Sequence, residues 1–141
     1  MDSSVAALTA YFQDYAASSA EPSAARTAAF YTDTFMVAGP RGSAAFKNDG
    51  NFAIWLRQLY EYNQQVGLLS MSVVSIQEPV LLSPLHILAT VEWGARFQKT
   101  SDRLITFRIT YLLENSNGQW KIISYISEKD QEEEMRNAGL L

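Results

Sequence analysis

Cysteine is absent from the 141 residues, and histidine occurs once, as His86. The first absence excludes a disulfide framework, a thiolate metal site and a cysteine nucleophile. The second excludes a histidine-based metal cluster and leaves any hydrolase triad dependent on one residue. Charged residues make up only 18% of the chain, and 15 acidic against 11 basic side chains give a formal net charge of -4. Nothing basic is clustered, so neither nucleic acid nor an anionic membrane is expected as a partner. The seven glycines form no phosphate-cradling loop; Gly39-Pro40-Arg41-Gly42 has the composition of a turn. Met1-Asp2-Ser3-Ser4-Val5 lacks the basic-then-apolar pattern of a secretory leader. The most apolar window, Val80 to Val91, is broken by Ser83, Pro84, His86 and Thr90 and is too short to span a bilayer. The expectation is a cytoplasmic protein that uses no metal or other cofactor.

What is present is apolar mass and period-two alternation. At 48% hydrophobic, the chain has enough for the core of one globular domain, taken as residues 1–141. Three consecutive strands are predicted at Leu85–Gln98, Arg103–Leu113 and Gln119–Ser127. In the first, Ile87, Ala89, Val91, Trp93, Ala95 and Phe97 alternate with more polar neighbours, and in the second Ile105, Phe107, Ile109, Tyr111 and Leu113 do the same. Alternation over such length signals a half-buried antiparallel sheet. The turn at Asn117-Gly118, or a four-residue loop around it, puts Ile109, Tyr111 and Leu113 on one face with Trp120, Ile122, Ser124 and Ile126. An odd-numbered loop near Lys99–Asp102 is needed to keep Trp93 and Phe97 on that face.

Earlier in the chain, Val5, Leu8, Phe12 and Tyr15 are spaced for one face of a helix that Ser3 or Ser4 caps. Pro22 suits the first turn of an alanine-rich helix running to about Tyr31. Short strands are predicted at Thr34–Ala38 and Ser43–Lys47. Asn48 or Asp49 then caps a third helix, with Phe52, Trp55, Leu56 and Leu59 as its buried stripe and Gly67 as its stop. A strand from Leu68 towards Gln77 follows, with Pro79 marking an edge, a bulge or the end of pairing. Glu128 to Glu134 reads as an acidic tail in a short exposed helix.

The opposite sheet face carries Thr106, Arg108, Thr110, Lys121, Ile123 and Tyr125. This mixture is too polar for a core and richer than a plain solvent face, so it is expected to pair with a second copy in a homodimer. Glu92 is placed to oppose Arg108 on the neighbouring strand, directly or diagonally, an ion pair that accounts for both. His86 sits at a strand start after Ser83-Pro84, as an exposed loop residue, and Asp33 reads as a cap or turn residue.

The element order resembles the nuclear-transport-factor-2-like superfamily. The resemblance is carried by Phe30-Tyr31-Thr32-Asp33-Thr34-Phe35 leading to Gly39-Pro40-Arg41-Gly42, by the helix with Phe52 and Trp55-Leu56, and by Asn117-Gly118-Gln119-Trp120-Lys121-Ile122-Ile123. It implies an α+β fold, a cone in which a strongly bent antiparallel or mixed sheet has N-terminal helices packed over its concave face. It also implies a pocket lined by Tyr15, Phe35, Trp55, Trp93, Phe107, Tyr111 and Ser124, or else a core made of the same residues. Buried phenol and indole groups need partners, which favours a cavity for a small apolar ligand. The scaffold serves isomerases, dehydratases, cyclases and binding modules alike. Compared with the superfamily's ketosteroid isomerases, Gly39 stands where their general-base aspartate precedes a similar turn. Ile109 falls near their oxyanion-hole aspartate, and Tyr15 is similar in position to their oxyanion tyrosine. The expected function is therefore a small-molecule-binding or accessory domain. The alternative is a cofactor-independent isomerase, dehydratase or cyclase, with Asp33, Tyr15 and His86 as candidate catalytic residues.

Overall fold

The first helix, α1 (Val5–Ala20), begins where the Ser4 hydroxyl accepts the Ala7 N–H at 3.2 Å. Its apolar spacing buries Leu8, Phe12 and Ala16 against the sheet, while Tyr11 and Tyr15 pack beside them. The computed structural model describes residues 2–20, 24–130, 133 and 136–137. Pro22, proposed as the opening of the second helix, lies outside them. That helix, α2 (Ala24–Ala28), ends earlier than the alanine pattern suggests. The Phe30 carbonyl accepts the Ile122 N–H at 2.7 Å, and Tyr31 pairs with Ile122, so the sheet captures the backbone at this point. Strand β1 (Tyr31–Gly39) consequently starts three residues before the expected Thr34. It turns into β2 (Gly42–Lys47), where Gly42 adopts φ +124°.

The Asp49 side chain accepts N–H bonds from Asn51 at 3.0 Å and Phe52 at 3.4 Å, which starts α3 (Gly50–Gln65). Gly67, at φ +78°, lies just past its end and leads into β3 (Leu68–Ile76). After the break at Gln77–Pro79 comes β4 (Val80–Ser83), which has no counterpart among the strands expected from the sequence. Both β3 and β4 pair antiparallel to β5 (His86–Phe97), along different parts of it, so they act as one edge strand interrupted at Pro79. The meander continues through β6 (Ile105–Ser116) and β7 (Gln119–Ser127).

The sheet order is β2-β1-β7-β6-β5-β3, with β4 also on β5. Pairing is antiparallel except between β1 and β7. The result is the α+β class expected, a curved and unclosed seven-stranded sheet with helices against one face. Opposed pairs Trp93–Phe107 and Ala95–Ile105 put the loop between β5 and β6 at the required odd parity. Glu92 does oppose Arg108 directly, yet the guanidinium reaches Glu128 instead, at 3.1 and 3.2 Å. Of the acidic helix expected from Glu128 to Glu134, Glu128 and Lys129 are bends, Glu133 is helical, and Gln131, Glu132 and Glu134 lie outside the described residues.

One register shift rearranges the faces. Asn117 and Gly118, at φ +52° and +82°, close a two-residue hairpin, and Leu113 pairs with Ile122 as expected. Leu112, however, pairs with Ser124, which leaves Ile123 as the extra residue of a β-bulge. Beyond it the parity is reversed: Tyr111 opposes Tyr125, and Ile109 opposes Ser127. Ser124 and Ile126 therefore belong to the outer face, and Tyr125 to the inner one, the reverse of the expectation.

Candidate functional site

Between the inner face of β5–β7, the β1–β2 hairpin, α1 and α3 lies a cavity of about 550 Å³. Its size follows from how α3 is held. Phe52 is the one buried residue of that helix, packed on Tyr31, Phe35 and Phe46 at the helix start. Trp55 and Leu59, expected to continue the buried stripe, are 37% and 38% exposed. Trp55 stacks on Phe52 and packs on Phe46 at the surface, away from the cavity. Leu56 packs on the core and Val66 on Ala95 and Phe97, and between them Leu59 and Asn63 lie on the cavity wall.

The residues expected to line a pocket divide into two groups. Tyr15, Phe107 and Tyr111 line the cavity. Phe35 is buried in the aromatic cluster under the start of α3, and Ser124 faces outward because of the bulge. Trp93 is fully buried behind the wall, donating its indole N–H to the Tyr111 hydroxyl at 3.0 Å. The wall also contains residues the periodicity did not single out: Val37 and Ala44 of the hairpin, Asn63, Met71 and Tyr125. Tyr125 had a readable signal. Ile122, Ile123, Tyr125 and Ile126 put large side chains on both parities of one strand, a pattern that a bulge resolves.

Four tyrosines meet at the inner end. Tyr15 and Tyr31 share a hydrogen bond between their hydroxyls, and both rings pack near Trp93 or Phe35. Tyr111 packs against Tyr15 and Tyr125. Burial pushes all four phenols above their ordinary range, Tyr15 to about 12 even though the bond from Tyr31 pulls it down. They are neutral donors throughout the physiological range. Tyr111 accepts from Trp93 and keeps its own hydrogen to donate. The hydroxyl of Tyr125 has no partner among the described residues.

Charged side chains line the cavity at the β1–β2 turn and just past β7. Arg41 and Asp130 form an ion pair there, with Lys129 beside them, and Asp130 is the one carboxylate among the lining residues described. Gly39 and Ile109, expected from the resemblance to stand at or near the isomerase carboxylate positions, both line the cavity. Asp33 is exposed on β1, and its carbonyl accepts the Asn48 N–H. His86 lies at the β4–β5 turn, where Nδ1 is bonded to the Ser83 hydroxyl at 2.7 Å and Nε2 to Glu114 at 3.2 Å. Neither Asp33 nor His86 reaches the cavity wall. Among the described residues, no group of three or more His, Asp or Glu is placed to hold a metal, and no helix is long and apolar enough to cross a membrane.

A curved sheet that presents an enclosed face under helices defines the class: an α+β domain of the nuclear-transport-factor-2-like kind. The chain belongs to the NTF2-like family DUF6841, whose model matches residues 2–130. Among solved structures it is similar to an NTF2-like protein of unknown function from Shewanella oneidensis (TM-score 0.67, 15% identity, 86% of this chain and 96% of the other). It is also similar to a ketosteroid isomerase-like protein from Erwinia carotovora atroseptica (TM-score 0.60, 19% identity, 92% and 98%). A third likeness is to a domain of unknown function with a cystatin-like fold from Nostoc punctiforme (TM-score 0.67, 12% identity, 100% and 88%). At these identities the likeness concerns the fold. No curated protein matches the chain by sequence.

Proposed function

We propose that this protein binds an uncharged, largely apolar small molecule carrying a hydrogen-bond acceptor, and that it does so in the cavity beneath α3. The observation that carries this is the pairing of apolar walls with neutral phenol donors at the inner end, charge being confined to the Arg41–Asp130 pair and Lys129. A buried phenol donor suits a carbonyl or ether oxygen, whereas a buried anion or cation would meet no opposite charge there. Ligand cavities of this general size are common, and a few placed polar groups in an apolar lining give them their selectivity.

The alternative, an isomerase, dehydratase or cyclase without cofactor, requires a base together with an oxyanion donor. Tyr15 and Tyr111 fit the donor role. Among the described residues the one carboxylate on the wall is Asp130, engaged by Arg41, while Gly39 and Ile109 hold the wall positions set against the isomerase carboxylates. Binding is therefore the better supported reading.

Calorimetric titration with straight-chain methyl ketones tests it. Saturable binding is expected, weakened about fivefold or more by Tyr125→Phe, the loss of one hydrogen bond. The reading fails if no ketone binds, or if Tyr125→Phe binds them as the wild type does.

A further inference from the structure

A second cavity of about 480 Å³ is bounded by Gln13, Ala16 and Ala17 of α1, by Tyr60 and Gln64 of α3, and by Leu69, Ser70 and Ser72 of β3. Asn63, Leu68 and Met71 line both cavities. These three side chains are the partition between two spaces that run beneath the same helix. The partition is lightly built. All three residues are only half-buried, and Asn63 has no side-chain partner among the described residues. Met71 is an unbranched side chain that changes rotamer at little cost. The helix above is held by Phe52 and Leu56 towards its start and by Val66 against Ala95 and Phe97 past its end, and Asn63 lies between these anchors.

We propose that the two cavities form one elongated binding channel, parted in this structure by Asn63, Leu68 and Met71, whose ligand is a straight-chain molecule rather than a compact ring system. The proposal rests on the cavity's being a ligand site, and adds the shape of the ligand and the residues that select it. The chain's acceptor oxygen meets the tyrosines of the first chamber, and its alkyl tail displaces the Met71 side chain and continues along the alanines of α1. A compact ligand fills the first chamber alone and gains nothing from the second. A chain that passes the partition gains apolar burial with each further methylene.

The experiment is a length series of methyl ketones, with straight chains of six to sixteen carbons, titrated calorimetrically into the full chain. Wild-type affinity is expected to tighten about fourfold per methylene through the whole series. In Met71→Trp, which fills the partition, tightening should stop at the length held by the first chamber. If wild type stops at the same length as the variant, or if both continue alike, the channel is refuted and the cavity reading survives. Absence of binding at every length refutes the cavity reading and the channel with it. A second variant guards against misfolding of the first. Ala17 is exposed on the wall of the second cavity, so Ala17→Trp places a new indole there. Long ketones brominated at the chain end should quench its added fluorescence and short ones should not; equal quenching at all lengths, or none, overturns the proposal.

Discussion

At the level of single residues, the tyrosine hydroxyls differ by what they hold. Tyr111 satisfies a fully buried indole N–H, whereas Tyr125 engages no described protein group. Tyr111→Phe strands the Trp93 N–H and should lower stability by about 1–3 kcal/mol, read as an earlier urea midpoint. Tyr125→Phe should stay within about 0.5 kcal/mol of wild type. Equal effects would mean that the indole finds another acceptor. Burial also links the tyrosines to alkaline stability. In the unfolded chain a phenol loses its proton near pH 10, but folded Tyr15 keeps its proton to about 12. Between these values the unfolded state binds fewer protons, so stability is complete below pH 10 and falls as pH rises through the window. Tyr31, Tyr111, Tyr125 and Tyr11 are shifted in the same direction. Phenolate absorbance from these five residues should therefore appear together with loss of near-ultraviolet circular dichroism. Their full titration with native dichroism intact would contradict the buried assignment.

Among the elements, α3 shapes the cavity because it bridges two packed ends, Val66 on Ala95 and Phe97 past its last turn and Phe52 with Leu56 towards its start. Asp49 accepts two backbone N–H groups there, and Asn48 donates from its side chain to the carbonyls of Ala28 at 2.7 Å and Tyr31 at 3.2 Å, tying α2 and β1 to the helix start. Asp49→Ala should cost about 0.5–2 kcal/mol and lower the melting temperature. Asp49→Asn should recover most of the loss, since the amide oxygen still accepts; a melting temperature unchanged in Asp49→Ala would show that the cap contributes nothing. The bulge at Ile123 is the second determining element. It turns Tyr125 inward and sends Ser124 and Ile126 to the outer face. Thus the same local feature completes the phenol cluster and alters what the molecule presents outside.

For the whole molecule, the outer sheet face is where a second copy would bind. With Tyr125 removed from it, this face is more apolar than its sequence pattern suggested. Met36, Val80 and Ile126 are 44%, 53% and 51% exposed, and Leu88 and Leu112 lie between them in the sheet. We propose a homodimer through this surface, since scattered exposed side chains need no partner but a contiguous apolar patch does. Sedimentation at micromolar concentration should give twice the mass of one chain, and Ile126→Glu should give the monomer. A wild-type monomer would refute the interface. Arg108 is a weaker handle, because it is held within the chain by Glu128.

The amino-acid sequence by itself determined the elements whose signals are local. Alternation specified β5, β6 and most of β7, the Asn117-Gly118 pair specified their last hairpin, and Asp49 with Gly67 bounded α3. These residues act on neighbours a few positions away, so one sequence suffices to read them. The tertiary structure decided which side chains meet. Capture of Tyr31 by β7 shortened α2 against its alanine propensity, because pairing with a distant strand outweighs a weak local preference. The short β4 became a strand only by lying along β5. The parity of β7 beyond Ile123, and hence Tyr125 rather than Ser124 at the cavity, depended on the parallel partner β1 as well as on β6. The exposure of Leu59 was decided by the space beneath α3. A helix over a cavity shows the same apolar spacing as a helix over a core, and only the distance to the opposite wall tells them apart.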